Sequence, residues 1–502
     1  MKTINIKSFS YSMLLATALL MGGCKKFADD FLDTPPSKST GIQITTTAQL
    51  DALFDNHNSL GQEGGGAVRL YGTDDYNFSP ASVNGNFFHN NFPTIAIGVW
   101  DRVKMENNPN SDWASQWAKV FTANLVLTQA DKVTGPQSDK DRLKAEAHFV
   151  RAFAYWVLAN TYCLPYTDAN QNEPGLPLKI STSFEEDLTR ASLAKTYEFI
   201  EADLTEALKI TDPIIKSGRF TSWRANVAGV NAFAARYYLM RGNYPLAEQY
   251  ATTSLNAYNT LVDFNSEMSF SAALPLNFPS MVNQPADPVN WKEFTSFRLM
   301  ATQYVEPSAE LLELYSTDGT VASRQNDLRY KYLVVEGGAA LYGLPAPFMY
   351  VQFGLQYLMS GTTVGETVVT KAEAQARQNK VAEAIATVNV LRSKRMDAQL
   401  APALRDLSAT NPAEALLKIL QERRRELPFA IRWFDLRRLN NNETPADDVT
   451  ITRQMYQYND SGIAPSLPMA TYTLAPGSRK YAVMIPQADI YSSQGVIKQN
   501  SY

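Results

Sequence analysis

The segment Leu420–Asn440, LQERRRELPFAIRWFDLRRLN, combines a run of charged residues with closely spaced aromatic rings. Leu416, Leu420 and Leu427 recur at helical spacing, and Arg423 falls on the same apolar stripe. An unpaired buried charge is costly, so we expect Arg423 to have a carboxylate or carbonyl partner. The segment is therefore predicted to be a structural helix with internal ion pairs.

Pro428 divides this segment, because proline cannot donate a hydrogen bond into a helix. After it, charged and aromatic residues alternate from Arg432 to Arg437, a mixture that could bind bases and phosphates. The whole chain has a formal net charge of −4, which argues against a polyanionic partner and predicts no nucleic-acid binding. The residues to which we assign a structural role are Glu422, Arg423, Glu426, Arg432, Trp433 and Asp435.

The same segment resembles the ERR-x-EL-x-F-x-x-x-RWFDLRR signature near the C-terminus of the SusD/RagB family of outer-membrane nutrient-binding lipoproteins. The matching positions are Glu422, Arg423, Arg424, Glu426, Leu427, Phe429, Arg432, Trp433, Phe434, Asp435, Leu436 and Arg438. Pro428, Ala430 and Ile431 stand where the family usually has Ala, Glu and Gly. The further positions that resemble the family are Trp113, Trp117, Asn124, Glu146, Arg151, Tyr155, Asp327, Arg329 and Ile485–Gln487. The resemblance implies a mainly α, tetratricopeptide-like scaffold of helical pairs.

The N-terminus has the pattern of a secretory signal over residues 1–23. Lys2 and Lys7 precede the apolar run Met13–Met21, which is too short to span a membrane. The sequence Leu20–Cys24 resembles a bacterial lipoprotein box, and this resemblance implies that Cys24 is the lipidated first residue of the mature chain. Within residues 24–40, the stretch Asp29–Lys38 is acidic and then proline-bearing, so we expect 24–40 to form a tether between the lipid and the domain at 41–502.

Two helical hairpins are predicted within that domain. Trp223–Met240 and Pro245–Leu255 flank a Gly-Asn-Tyr turn similar to that of a tetratricopeptide repeat, and Glu366–Lys394 repeats the pattern. The two hairpins are not in tandem, as the helical pairs of an ordinary solenoid would be. We therefore expect a helical scaffold interrupted by long insertions.

The insertions are predicted at about 61–103 and 256–365, where helical periodicity is lost and aromatic residues are frequent. Long aromatic loops on a helical scaffold are usually functional. Ring faces can stack on sugars while carboxylates accept hydrogen bonds from hydroxyls. The residues predicted to bind ligand are Asp74, Asp75, Tyr76, Phe88, Trp291, Tyr342 and Tyr350. Trp291 is the strongest candidate, because it follows a proline-rich run with no helical period.

The sequence contains no motif typical of metal-dependent or nucleotide-dependent enzymes. With three histidines and two cysteines, the chain has no zinc-ligand spacing, Walker loop, GxGxxG or GxSxG element. We predict no cofactor and no catalytic residue, and a structural calcium ion is left open. Adjacent acids at 74–75, 185–186 and 447–448 keep a glycosidase as an alternative.

The family resemblance implies a lipid-anchored protein at the cell surface of the outer membrane. It would bind an oligosaccharide or another oligomeric nutrient and deliver it to a TonB-dependent outer-membrane transporter, without bond cleavage. The resemblance does not identify the ligand. The second alternative to this binding role is an assembly scaffold that has a protein partner and no small ligand.

Overall fold

The computed structural model describes residues 43–502 except 65, 86–91, 106–110, 184, 215–221, 273–278, 282–287, 303–304, 338–346, 354–356 and 460. The signal at 1–23, Cys24 and the tether at 24–40 lie outside these residues. Phe88 and Tyr342, two of the predicted ligand residues, also lie outside them.

Helices dominate the described structure, as predicted. The helices before residue 260 are α1 (Thr47–Asp51), α2 (His57–Gly61), α3 (Ala67–Tyr71), α4 (Pro80–Gly85), α5 (Phe92–Gly98), α6 (Ser111–Gln129), α7 (Gln137–Tyr162), α8 (Leu193–Ala207), α9 (Val227–Met240) and α10 (Tyr244–Ala257). Those after it are α11 (Phe264–Glu267), α12 (Ala309–Leu314), α13 (Leu328–Leu333), α14 (Val364–Arg377), α15 (Val381–Arg395), α16 (Pro402–Arg405), α17 (Pro412–Glu426), α18 (Arg432–Leu439) and α19 (Gln487–Ser492).

Short antiparallel hairpins accompany the helices. The strands are β1 (Met268–Phe270), β2 (Pro279–Met281), β3 (Leu299–Ala301), β4 (Val334–Glu336), β5 (Phe348–Tyr350), β6 (Tyr357–Met359), β7 (Ile451–Met455), β8 (Tyr458–Asn459), β9 (Gly462–Ile463) and β10 (Ala470–Leu474). They pair as β1–β2, β3–β6, β4–β5, β7–β10 and β8–β9. In the longest pair, Ile451 lies opposite Leu474 and Met455 opposite Ala470.

The scaffold helices begin at residues that can cap them. Asn226, Asn243 and Asn411 accept hydrogen bonds from backbone N–H groups in the first turns of α9, α10 and α17. Thr363 caps α14 in the same way. Because free N–H groups at a helix start must be satisfied, these caps set where each helix begins.

The two predicted hairpins form and are neighbours in space. Helix α9 packs on α10, and α14 packs on α15. Helix α10 also packs directly on α14, although the second insertion separates them in sequence. The chain therefore leaves the stack of helical pairs after α10 and rejoins it at α14.

The insertions differ from the predicted aromatic loops. The first contains α3, α4 and α5, and the second contains short helices and strands. Tyr71, Phe78 and Trp100 from the first insertion belong to the same hydrophobic core as the scaffold helices. Many of the aromatic residues that break the helical period are therefore buried between elements rather than displayed on loops.

Helix α17 has its buried stripe one position away from the predicted one. Ala415, Ile419 and Glu422 are buried, whereas Leu416 and Leu420 are only partly buried. Arg423 is buried as predicted, and its Nε donates to Asp435 Oδ2 over 2.8 Å. The apolar side of α17 therefore faces the core together with the carboxylates and guanidiniums of its last two turns.

These charged groups attach the second insertion to the scaffold. Glu422 accepts hydrogen bonds from Arg329 at 2.7 Å and from Arg392 at 2.6 Å. Glu426 accepts from Arg329 at 3.0 Å and from Arg395 at 2.9 Å. Although burial opposes it, Arg329 and its neighbours lower the pKa of Glu422 well below its usual value. Arg329 lies in the second insertion, so the network joins it to α15 and α17.

Candidate functional site

Asp74 and Asp75 from the first insertion contact the signature segment rather than solvent. Both oxygens of Asp74 accept from Arg432 at 2.8 Å. Asp75 is fully buried and accepts from Arg424 Nε at 2.6 Å and from the backbone N–H of Phe429 at 2.9 Å. Their assignment as ligand acceptors is corrected, because these oxygens already hold the two helices of the segment and the turn between them.

The turn between α17 and α18 explains why Asp75 is needed there. Phe429 has φ of 64°, a left-handed conformation that is uncommon for a residue with a side chain. Its ring is buried and lies 5.1 Å from the ring of Tyr350. The hydrogen bond from its N–H to Asp75 stabilises this conformation.

The neighbouring carboxylate, Asp74, is held in its charged form. Although burial opposes the shift, Arg432 lowers the pKa of Asp74 well below its usual value.

The predicted aromatic ligand residues in the described part of the chain are buried. Trp291 is 5% exposed and packs edge-on to Phe264 and Phe353, with ring centroids 6.2 and 5.5 Å away. Tyr76 and Tyr350 are equally enclosed. Burial leaves their ring faces no room for a sugar, so the ligand assignment of Tyr76, Trp291 and Tyr350 is corrected to core packing.

The described residues also form an open groove, which we call the aromatic groove. Its volume is about 460 Å³. The residues that line it are Trp113, Trp117, Val120, Phe121, Asn124, Pro177, Lys179, Ser181, Thr182, Ser183, Leu188, Asp489, Ser492, Ser493 and Ile497. They come from α6, from the segment between α7 and α8, and from α19 with the residues that follow it. A groove of this size is in the range of small-ligand sites.

Aromatic rings of α6 form one wall of the groove. Trp113 and Trp117 meet edge to face with ring centroids 5.5 Å apart, and Trp117 makes a second edge contact with Tyr155 of α7. The indole N–H of Trp117 is enclosed and has no hydrogen-bond acceptor among the described residues. Phe121, one turn further along α6, is 47% exposed. The wall therefore offers the groove aromatic surface, and the indole N–H of Trp117 is buried behind it.

A second part of the lining is a polar segment held by hydrogen bonds to α6 and within itself. The Asn124 side-chain amide donates to the carbonyls of Lys179 and Ser181, both at 3.1 Å. Glu186 accepts from the backbone N–H groups of Ile180 and Ser181 and forms an ion pair with Lys179 at 3.0 Å. The segment is thus fixed to α6, and its only cation in the groove is neutralised.

The C-terminal segment completes the lining of the groove. Asp489 and Ser492 lie on α19, and Ile497 follows it. Burial raises the pKa of Asp489 above its usual value, against a hydrogen bond from Trp113 that lowers it. The same segments also carry exposed apolar side chains that are not part of the groove lining: Ile180 is 61% exposed, Tyr491 73% and Val496 43%.

Sequence reasoning identified Trp113, Trp117 and Asn124 as positions of a helix that resemble the family, and did not assign them to a binding site. Phe121 was the available signal, because it continues the four-residue spacing of Trp113 and Trp117 along α6. The groove itself could not be found, since its lining combines residues 113–124, 177–188 and 489–497, and the last group lies more than 300 residues from the others in the chain.

Within the described ranges, no group of three or more His, Cys, Asp or Glu side chains is arranged to hold a metal ion. In the same part of the chain, no helix combines the length and apolar character needed to cross a bilayer.

The fold defines a mainly helical protein with a scaffold of packed helical pairs. Comparison with known families finds two matches: a model described as "Starch-binding associating with outer membrane" over residues 30–239, and the SusD family model over 364–502. The chain belongs to the SusD/RagB family.

Individual relatives are similar at lower identity. SusD-like protein P2 of Formosa agariphila is 26% identical over 175 residues, which span 34% of this chain and 32% of that protein. A SusD superfamily protein of Bacteroides thetaiotaomicron has a TM-score of 0.63 at 16% identity, covering 91% of this chain and 100% of its own.

Two further solved structures carry a ligand class in their names. A laminarin-binding SusD-like protein has a TM-score of 0.57 at 17% identity, and surface glycan-binding protein A of Bacteroides uniformis has 0.59 at 14% identity. Each alignment covers 91% of this chain and 99% of the other. These likenesses confirm the predicted SusD-like fold.

Proposed function

We propose that this chain is a glycan-binding protein that captures an oligosaccharide and leaves its glycosidic bonds intact. The observation that carries the proposal is the match of fold over most of the chain to a laminarin-binding protein and a surface glycan-binding protein. Its family description, starch-binding and associated with the outer membrane, points to the same ligand class. The aromatic groove supplies rings and hydroxyls of the kind that bind sugars.

The test is titration calorimetry of the full chain, purified in detergent, against a panel of neutral and acidic hexasaccharides. We expect at least one of them to bind. Bovine serum albumin, titrated under the same conditions, controls for heats of dilution and non-specific association. Failure of every glycan in the panel would contradict the proposal.

The absence of cleavage is supported by the contacts of the adjacent acids that kept the glycosidase alternative open. Asp74 and Asp75 are held by Arg432 and Arg424. Glu186 is paired with Lys179, and Asp447 accepts from Arg377 at 2.8 Å. In each of these pairs at least one carboxylate is engaged in a structural contact. Incubation with the bound oligosaccharide should therefore release no new reducing ends, as measured by chromatography.

Membrane anchoring and delivery to a transporter form the remaining part of the proposal. The lipoprotein-like ending at Cys24 supports acylation there, and more than one acyl chain is needed for stable anchoring. Mass spectrometry of the mature N-terminus should find a lipid-modified cysteine, and Cys24→Ser should move the protein to the soluble fraction.

Co-purification of a TonB-dependent transporter tests the delivery step. A transporter complex without any glycan affinity would instead favour the assembly scaffold.

A further inference from the structure

We infer that the aromatic groove is a subsite for a neutral pyranose ring of the bound oligosaccharide. This inference rests on the proposed glycan-binding function and adds to it a location and a charge class of ligand. It replaces the predicted site on the insertions, whose described aromatic residues are buried.

Exposed rings make the groove suitable for the C–H face of a sugar. Phe121 is nearly half exposed although it lies on a well-formed helix, and Trp117 beside it is partly exposed. A large apolar side chain left in water on a helix that has ample polar surface gains nothing for stability. Ring faces provide contact area for a ligand at little cost in side-chain entropy.

Hydrogen-bonding groups line the groove together with these rings. Ser181, Thr182, Ser183 and Ser492 contribute hydroxyl groups to the lining. A hydroxyl can donate and accept, as can each hydroxyl of a sugar. A lining that combines aromatic rings with hydroxyl groups matches a pyranose better than it matches a purely apolar ligand.

The groove is already formed, which lowers the cost of binding. Tyr155 Oη donates to the carbonyl of Pro177 at 2.9 Å and accepts from the N–H of Lys179 at 2.7 Å. Together with the Asn124 bonds, these contacts fix the hydroxyl-bearing segment against α6 and α7. A ligand therefore does not have to order this segment, and binding energy is retained as affinity.

The charges in the groove select against acidic sugars. Its one cation, Lys179, is held by Glu186 at 3.0 Å and donates to the Ser183 carbonyl at 2.9 Å. Asp489 adds a carboxylate to the lining. A uronate or a sulfated sugar would meet no free cation in this lining and would be repelled by Asp489 when that group is ionised. The ligand class is therefore a neutral glycan.

Calorimetry with two substitutions tests the location. Phe121→Ala removes an exposed ring, and Thr182→Trp fills the groove from a partly exposed position. Leu417→Ala is the matched control, because Leu417 is likewise an exposed apolar residue on a helix, α17, outside the groove. The probes are laminarihexaose, maltohexaose, cellohexaose and xylohexaose as neutral glycans, and hexagalacturonate as the acidic one.

We expect at least one neutral probe to bind the wild type, with affinity lowered about fivefold by Phe121→Ala and at least tenfold by Thr182→Trp. Leu417→Ala should leave it unchanged, and all variants should keep the wild-type melting temperature. Neutral binding that both groove variants leave intact would overturn the inference while the proposed function stands. Tighter binding of hexagalacturonate would also overturn it. If no probe binds the wild type, both proposals fail. A further outcome would also overturn the inference: Thr182→Trp could keep the wild-type affinity for glycan but no longer co-purify with the transporter. That result would assign the groove to contact with a protein.

Discussion

Replacing Arg423 by alanine tests whether the signature segment is structural. The guanidinium of Arg423 donates to Asp435 at 2.8 Å and to Thr370 Oγ1 at 3.0 Å, and all of these groups are buried. Removing one partner of a buried ion pair costs about 3–5 kcal/mol, because the other charge is left without compensation. Asp435 keeps a second partner in Arg438 at 2.8 Å. We therefore expect Arg423→Ala to cost about 3 kcal/mol, at the lower end of that range.

The matched control lies on the same helix. Lys418 pairs with Glu414 at 2.7 Å, but about one third of each side chain is exposed. Exposed pairs at this spacing contribute about 0.3–0.5 kcal/mol, so Lys418→Ala should cost under about 1 kcal/mol. The assay is urea unfolding followed by tryptophan fluorescence, with the midpoint and slope compared with those of the wild type. Equal midpoints for the two variants would refute the structural role of Arg423.

Three further predictions concern the core and its charges. Trp433→Ala should lower the free energy of unfolding by about 3–5 kcal/mol, because its fully buried ring would leave a cavity next to Tyr481; urea unfolding measures this. Trp291→Ala should destabilise by a similar amount, about 3–5 kcal/mol, while the calorimetric affinity of the folded fraction for glycan stays unchanged. If Trp291→Ala instead bound glycan more weakly and unfolded at the same urea concentration as the wild type, Trp291 would be a ligand-binding residue. The pKa of Glu373 is about 2 against an ordinary 4.5, because Arg438 and Arg377 outweigh the opposing effect of burial. Its stabilising contribution is full above pH 4.5 and is lost as the pH falls toward 2, by about 3 kcal/mol in total. Glu373→Gln should flatten that part of the stability curve in acid unfolding, and an unchanged slope would count against this assignment.

The helical scaffold and the need of Arg423 for a buried partner could be predicted from the sequence. Helical periodicity and the hairpin turns predict α9, α10, α14 and α15 because both depend on residues close together in the chain. The requirement for a partner at Arg423 follows from the cost of burying a charge, which is independent of the partner's identity.

Only the tertiary structure decided which residues those partners are and which rings remain exposed. Arg424 and Asp75 are 349 residues apart in sequence, so nothing in the local pattern around Asp75 reveals that its carboxylate is occupied. Trp291 and Phe121 show that exposure does not follow from local spacing. Trp291 lies outside any helical period, yet it is buried by distant elements. Phe121 lies on a regular helix, yet it is exposed at a groove. Local spacing determines secondary structure, but burial is determined by contacts between distant segments, and a binding surface is what those contacts leave uncovered.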